Sequence, residues 1–176
     1  TVIDKSERAR DLRSLLDRAY GESTHPVRLD DCLAAVAADA RERFPEADFH
    51  LGRLPETRVR ADDLLPTVVE GLIENAVEHN DGEPSVGVDV RRRDNTAVVS
   101  VVDDGPGMDQ PQDVVFGRGA TDALDHGDGL SLFFADSVVL TYEGQLLFED
   151  REDADVSVLP PTAEGGTVFE LELLRV

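Results

Sequence analysis

Residues 62 to 80 read Asp-Asp-Leu-Leu-Pro-Thr-Val-Val-Glu-Gly-Leu-Ile-Glu-Asn-Ala-Val-Glu-His-Asn. At about 100° per residue, Val68, Val69, Leu72, Ile73, Ala76 and Val77 share one half of the wheel, which predicts an amphipathic helix over Asp62 to Asn80. Glu70, Glu74 and Glu78 fall on the other half, and this acidic triplet is expected to face solvent rather than a metal. Asn75 stands at the border of the apolar face, close in angle to Gly71 and His79 one turn away on either side. From there its carboxamide oxygen can meet a hard cation in a cleft. The competing use is a bond to its own helix backbone.

Downstream, two strands are predicted at Ser85–Arg92 and Thr96–Asp103, separated by a polar turn at Asp94-Asn95. The second strand runs out as Val101-Val102-Asp103-Asp104-Gly105-Pro106-Gly107-Met108. A carboxylate at a strand end can be partly buried and accept from an amine, a charge-assisted bond. Gly105 and Gly107 let a ligand approach the backbone where a Cβ would obstruct it, although Asp-Gly and Pro-Gly are also ordinary turn dipeptides. The Gly- and Asp-rich stretch from 103 to 129 is longer than a connection requires. It delivers Gly127-Asp128-Gly129-Leu130-Ser131-Leu132 to the start of a helix over about 129–139. Backbone N–H groups and the positive dipole end at such a start bind phosphate. A Gly-Lys-Ser/Thr phosphate loop is excluded, because Lys5 is the only lysine. Asp122, Asp125 and Asp128 miss the register of a calcium loop. A strand at Gln145–Glu149, an acidic loop with Pro160-Pro161 and a last strand at Thr167–Leu174 complete the chain.

Upstream, a sparse apolar stripe of Val2, Ile3, Leu12, Leu15, Leu16 and Ala19 predicts a helix over 2–19, broken at Gly21. An extended piece at 26–29 leads to a second helix, Asp30 to Phe44, with Asp30 as its expected cap. Short strands follow near 47–51 and 57–61. Helices on one face of a mixed, largely antiparallel sheet, a two-layer α/β sandwich of the α+β class, is the expected packing.

Composition narrows the partners. The chain has 176 residues, 38 Asp and Glu against 17 Lys and Arg, and a formal net charge of −21. Such a balance argues against nucleic acid or an anionic membrane as a bulk-charge partner. The 40% hydrophobic content allows a real core. An acidic surface with one lysine beside sixteen arginines resembles proteins of extreme halophiles; in molar salt the Debye length falls to about 3 Å and self-repulsion is screened. Cys32, the single cysteine, lies in an apolar helical stretch and is read as a small hydrophobe rather than a nucleophile. No apolar run reaches the ~18 residues of a membrane span. The chain opens on Thr1 and its only methionine is Met108, so it is expected to be a piece of a longer protein.

Four motifs then occur in order. Glu74-Asn75-Ala76-Val77-Glu78-His79-Asn80 resembles the N box, and Asp103-Asp104-Gly105-Pro106-Gly107 the G1 box, of the gyrase, heat-shock chaperone, histidine kinase and MutL ATPase superfamily. Phe116-Gly117-Arg118-Gly119 is similar to the F box of the nucleotide lid, and Gly127 to Leu132 to the G2 box. The ending Gly165-Gly166-Thr167-Val168-Phe169 looks like the last strand of that family. The resemblance covers about residues 24 to 176.

Hydrolysing branches of the superfamily carry a glutamate general base one turn before the metal-binding Asn, where this chain has Gly71. Leu72 to His79 is closer to the sensor histidine kinases of two-component systems, in which the acceptor is a histidine on a separate helical hairpin. The resemblance implies ATP and Mg²⁺ as ligands. Asp103 would recognise the adenine amine and Asn75 would hold Mg²⁺. Gly127, Gly129 and Leu130 would donate backbone N–H groups to the phosphates, and Gly105 and Gly107 would admit the nucleotide. Arg118, the one cation between Arg93 and Arg151, would contact phosphate, and His79 would line the adenine or ribose side. Residues 1–21 would be the end of the upstream dimerisation and phosphotransfer helix, and 22–176 the ATP-binding catalytic domain.

The γ-phosphoryl group would pass to the hairpin histidine and on to a response regulator. None of His25, His50 and His126 lies in a long helix before an acidic residue, so the acceptor is expected elsewhere. The segment is expected to be cytoplasmic and monomeric, without nucleic-acid or membrane contact, in a parent protein that membrane anchoring would suit. The kinase pattern has Asn where Gly71 stands, and Asp128 puts a carboxylate beside the phosphate motif. Both features favour one alternative, a noncatalytic nucleotide-binding (pseudokinase) module; a second is an acidic protein-interaction module that keeps the same fold.

Overall fold

A computed structural model of the chain describes residues 10, 13, 14, 16, 17, 20, 23–80, 82–108, 111–116, 130–156, 158–160 and 165–176. In chain order the elements are β1 (His25–Arg28), α1 (Leu29–Arg43), β2 (Asp48–Leu51), β3 (Arg58–Ala61), α2 (Leu65–Glu78), β4 (Ser85–Arg92) and β5 (Thr96–Asp103). After them come α3 (Gln112–Val115), α4 (Leu130–Thr141), β6 (Gln145–Asp150) and β7 (Thr167–Leu174), with a 3-10 turn at Arg151–Asp153. The main sheet has the order β2-β4-β5-β7-β6; only β2 and β4 run parallel. A separate antiparallel ribbon pairs β1 with β3. The architecture is α+β with a mixed, mostly antiparallel sheet, as the sequence predicts.

The two faces of β5 explain its nearly unbroken valine run. Ala97, Val99 and Val101 join the core shared with Val86, Val88 and Val90 of β4, Phe169, Leu171 and Leu173 of β7, and Val68, Val69, Leu72, Ile73 and Ala76 of α2. On the reverse face Val102 packs with Val168 and Leu159 beneath Ala154, Val156 and Val158, an irregular segment in place of a helix. A strand covered on both faces needs apolar residues at successive positions. Truncating a fully buried residue such as Leu72 is expected to cost about 2–5 kcal/mol.

Three local expectations are corrected. Helix α2 starts at Leu65, with Pro66 in its first turn, because Asp62 is used before the helix. Its carboxylate, 2% exposed, accepts from the Leu64 amide at 2.9 Å and from the Tyr142 hydroxyl. Asp30 lies within the first turn of α1 rather than at its cap, where it pairs with Arg28 at 2.6 Å and accepts from the Thr57 amide at 3.4 Å. Glu74 is not on a solvated face: it is 7% exposed and pairs with Arg43 at 3.2 Å, and Arg43 also lies over the Phe44 ring. The packing of α1 against α2 covers part of the face that periodicity leaves polar. Glu70 remains half-buried and Glu78 exposed.

Of the predicted N-terminal helix, the described residues are helical, and Leu16 is buried in the main core. No helix among the described residues is long and apolar enough to cross a membrane.

Candidate functional site

The end of β5 and the end of α2 meet at one pole of the sheet. Asp103, the last residue of β5, is 6% exposed. Its Oδ1 accepts from the Gly105 amide at 2.9 Å and from the Thr167 amide at 3.3 Å, leaving Oδ2 outside both bonds. Burial pushes this carboxyl up to about 6, against the two amide bonds that favour the charged form; nearby Asp104 raises it further and His79 lowers it. Among the described residues nothing is bonded to the other oxygen, and a carboxyl fixed on one side in this way is oriented to accept from a ligand donor.

The neighbouring residues hold it there. Gly166, at φ +115°, places its backbone so close that a Cβ would overlap the Asp103 carbonyl oxygen, so only glycine serves at this position. The Gly165-Gly166 turn is in turn bonded by Arg151, whose Nε donates to the Gly165 carbonyl and whose amide donates to the Gly166 carbonyl at 3.0 Å. On the other side, a Cβ at Gly105 would lie 3.3 Å from both Asp103 Oδ1 and the His79 carbonyl oxygen. Gly105 therefore lets the turn after β5 close onto the end of α2.

A second carboxylate joins the two elements. Asp104 Oδ1 accepts from Asn80 Nδ2 at 2.7 Å and from the Ser85 amide at 3.0 Å. Asn80 Oδ1 accepts from the Gly82 amide at 3.0 Å, so the chain between α2 and β4 is bonded to the turn after β5. His79 closes α2 and is exposed; its amide donates to the Asn75 carbonyl at 3.1 Å. Asn75, one turn earlier, is 7% exposed. Among the described residues no group of three or more His, Cys, Asp or Glu could hold a metal. A metal bound beside Asn75 would therefore take most of its ligands from the bound molecule and water, the usual habit of Mg²⁺.

Of the residues singled out from sequence, the structure brings Asn75, His79, Asp103 and Gly105 to this pole. Gly107 lies farther along the turn, where a Cβ would be 3.1 Å from Asp150 Oδ1. Leu130 is the first residue of α4, which packs against α2. Arg118, Gly127 and Gly129 lie outside the described residues, as does Asp128. Phe116, read as part of a lid motif, is fully buried against Phe148 and Phe169, with ring centroids 5.7 and 6.4 Å away. Gln112 Nε2 adds a bond to the Phe148 carbonyl at 3.1 Å, so the first part of the long loop is fastened to the sheet.

Sequence reasoning missed Thr167, Arg151 and the Asn80–Asp104 link. The glycine doublet before β7 was the available signal for the first two. Burial, helped by Glu70, pushes the Cys32 thiol up to about 11, which disfavours its thiolate.

Residues 61–175 match the family described as histidine kinase-, DNA gyrase B- and HSP90-like ATPase. A signal transduction histidine-protein kinase, AfsQ2 of Streptomyces coelicolor, is 30% identical over 185 residues, covering 98% of this chain and 32% of its own length. The chain thus spans about a third of the curated relatives it matches, 31% and 32%. Among solved structures, a mycobacterial sensor histidine kinase, MprB, superposes with TM-score 0.66 at 24% identity, covering 86% of this chain and 98% of that one. A complex of the histidine kinase ThkA with the response regulator protein TrrA has TM-score 0.66 at 16% identity, covering 99% of this chain and 49% of that one. At these identities the structural likeness concerns the fold.

Proposed function

The chain belongs to the histidine kinase-, DNA gyrase B- and HSP90-like ATPase family, and on that premise we propose that it is the ATP-binding catalytic domain of a two-component sensor histidine kinase. The observation that carries the reading is the Asp103 carboxyl, fixed through Oδ1 by two backbone amides with Oδ2 uncommitted beside His79. Adenine offers an exocyclic amine to such an acceptor; guanine offers a carbonyl oxygen there, which an ionised carboxylate repels. Gly105 lets the turn close beside the carboxyl, and His79 borders it. The start of α4 at Leu130, with Gly127 and Gly129 before it, supplies backbone donors for the phosphates. Arg118 is the cation proposed to contact phosphate.

Asn75 fits a single protein ligand for Mg²⁺ on the phosphates, and when bound the metal neutralises charge on the transferring group. The chain's own residues bind and orient the nucleotide so that its γ-phosphoryl group is presented to a histidine on an upstream helical hairpin, of which residues 1–21 are the end. A response regulator then receives the phosphoryl group, a reading supported by the ThkA complex. We place this segment on the cytoplasmic side of its parent protein, without nucleic-acid or membrane contact of its own. Its acidity and single lysine support an origin in high salt.

Calorimetry with Mg-ATP and Mg-GTP tests the reading. Saturable binding of ATP that Asp103→Ala removes, with GTP silent, is the expected result; ATP binding unaffected by that substitution sinks the assignment. Adding the upstream hairpin and assaying acid-labile phosphate then separates a kinase from the noncatalytic module that Gly71 favours. Sustained metal-dependent phosphate release by this chain alone would place it in a hydrolysing branch instead.

A further inference from the structure

At the opposite pole of the sheet, six residues along β5 from Asp103 and hence about 20 Å away, lies a cleft of different character. It encloses about 690 Å³ and is lined by Arg53, Leu54, Pro55, Val90, Arg91 and Arg92. Among the described residues no carboxylate lines it, in a chain whose net charge is −21. The backbone explains why Arg53 meets the end of β4. Beyond β2 the chain continues alongside β4, with the Gly52 amide bonded to the Val88 carbonyl at 2.8 Å and the Val90 amide to the Arg53 carbonyl at 3.0 Å. That register sets Arg53 against the end of β4, where Arg91 and Arg92 follow Val90.

Two of these guanidinium groups have donor capacity left. Arg91, on the opposite face of β4 from Arg92, is engaged by Glu170 of β7 at 3.0 Å and is not part of that capacity. Arg92 makes one long bond, 3.4 Å, to the Glu56 carbonyl. Among the described residues the Arg53 side chain makes no ion pair; the nearby Asp89 carboxylate is held by the Arg53 backbone amide at 2.7 Å. Between the charges the lining is apolar, from Leu54, Pro55 and Val90. The segment also borders β2, an edge strand of the sheet, so an extended chain can lie alongside.

We propose that this cleft binds an extended acidic peptide segment of a partner protein, its carboxylates on Arg53 and Arg92 and an intervening apolar side chain on Leu54 and Pro55. Guanidinium forks match carboxylates in a two-bond geometry that ammonium groups do not offer. A free polyphosphate satisfies the charges but leaves the apolar lining and the strand edge unused. The net acidity of the chain disfavours an acidic ligand over most of its surface, which makes the cleft selective by contrast. The site is independent of the nucleotide reading, being at the other end of the sheet.

The test uses a synthetic Glu-Leu-Glu-Glu-Leu-Glu peptide, titrated into isotope-labelled chain in about 0.1 M KCl, where surface charge still acts over ~10 Å. Amide shifts should move at 52–55 and 90–92. Arg53→Gln and Arg92→Gln, both exposed positions, should each weaken binding about tenfold while leaving the remaining amide spectrum and Mg-ATP binding unchanged. Arg41→Gln on α1 should have no effect. Absence of saturable shifts, equal loss in Arg41→Gln, or tripolyphosphate moving the same amides more tightly than the peptide would each overturn the proposal.

Discussion

Replacing Asp103 by asparagine separates the cost of the buried carboxyl from its use. The carboxamide keeps an oxygen that can accept from the Gly105 and Thr167 amides, and changes the uncommitted oxygen into an NH₂ donor. The wild-type carboxyl rises from 3.8 to about 6 on folding, so the fold favours the neutral acid. Its stabilising contribution is complete below pH 3.8 and is lost as pH rises through 6, after which the ionised group costs a constant amount. At 1.36 kcal/mol per unit, that cost is about 3 kcal/mol near pH 7.5, about 1.5 near pH 5 and under 1 near pH 4.

The carboxamide has nothing to ionise, so the stability of Asp103→Asn relative to wild type should grow by about 2–3 kcal/mol between pH 4 and pH 7.5. Urea denaturation of the ligand-free chain at a series of pH values measures the difference, and any constant offset from repacking drops out of the slope. A difference that stays flat across this range refutes the argument. Binding moves the other way. The NH₂ group opposes an adenine amine, so the same variant should lose Mg-ATP affinity at every pH. Wild-type affinity should weaken as pH falls below 6, where the acceptor gains a proton. A variant more stable in neutral solution and unable to bind is the expected combination.

Gly166→Ala forces a side chain into the left-handed region and into the Asp103 carbonyl, and should cost about 2 kcal/mol or more by urea midpoint, with loss of nucleotide binding. Tyr142→Phe removes the donor to buried Asp62, where burial and that carboxylate both raise the tyrosine above its usual range; a loss of about 1–3 kcal/mol is expected by the same measurement. Raising KCl from about 0.1 to about 2 M should screen the self-repulsion of a −21 chain and increase unfolding stability by about 1 kcal/mol, or 2–4 °C in melting temperature; a decrease would remove the high-salt reading.

How much of this was legible beforehand follows from where each signal resides. The spans of β4, β5 and β7 were readable because runs of β-branched and aliphatic residues end at turn residues, as at Asp94-Asn95. Helix α2 was readable through its period, but its start was not, because Asp62 is engaged by Tyr142 from 80 positions away. Glu74 failed for the same reason: a helical wheel cannot know that α1 lies across the polar side and brings Arg43. The ribbon of β1 and β3 and the short α3 were not foreseen as pairings, since four-residue segments carry too few residues for a period. At the pole around Asp103, the sequence singles out side chains, while the amides that hold the carboxyl leave no such mark. Asp103, Asn75 and His79 announce themselves by type and spacing, whereas Thr167 acts through its N–H, a group every residue but proline has. Only the glycines before it mark the position.

That distribution reconciles the charge of the chain with its proposed ligand. On the proposed reading the acceptor for the base is Asp103, a carboxylate whose orientation comes from two amides and whose support comes from a glycine turn bonded to Arg151. On the same reading the phosphate end would depend on amides at a helix start, one asparagine and a metal. Neither end requires a lysine, so surface residues are free to be acidic without changing the groups that meet the nucleotide. The acidity sets a demand of its own, since carboxylates placed near the phosphates must be neutralised. Asp104 shows one solution in the structure: its Oδ1 is bonded to Asn80 and to the Ser85 amide, turning a potential repulsion into the joint between α2 and β5. Asp104→Ala should therefore loosen the end of α2 and weaken nucleotide binding, although removing a negative charge beside a polyphosphate would by Coulomb's law alone strengthen it. Tighter Mg-ATP binding in that variant would show that charge outweighs the joint, and that Asp104 restrains affinity instead of organising the site.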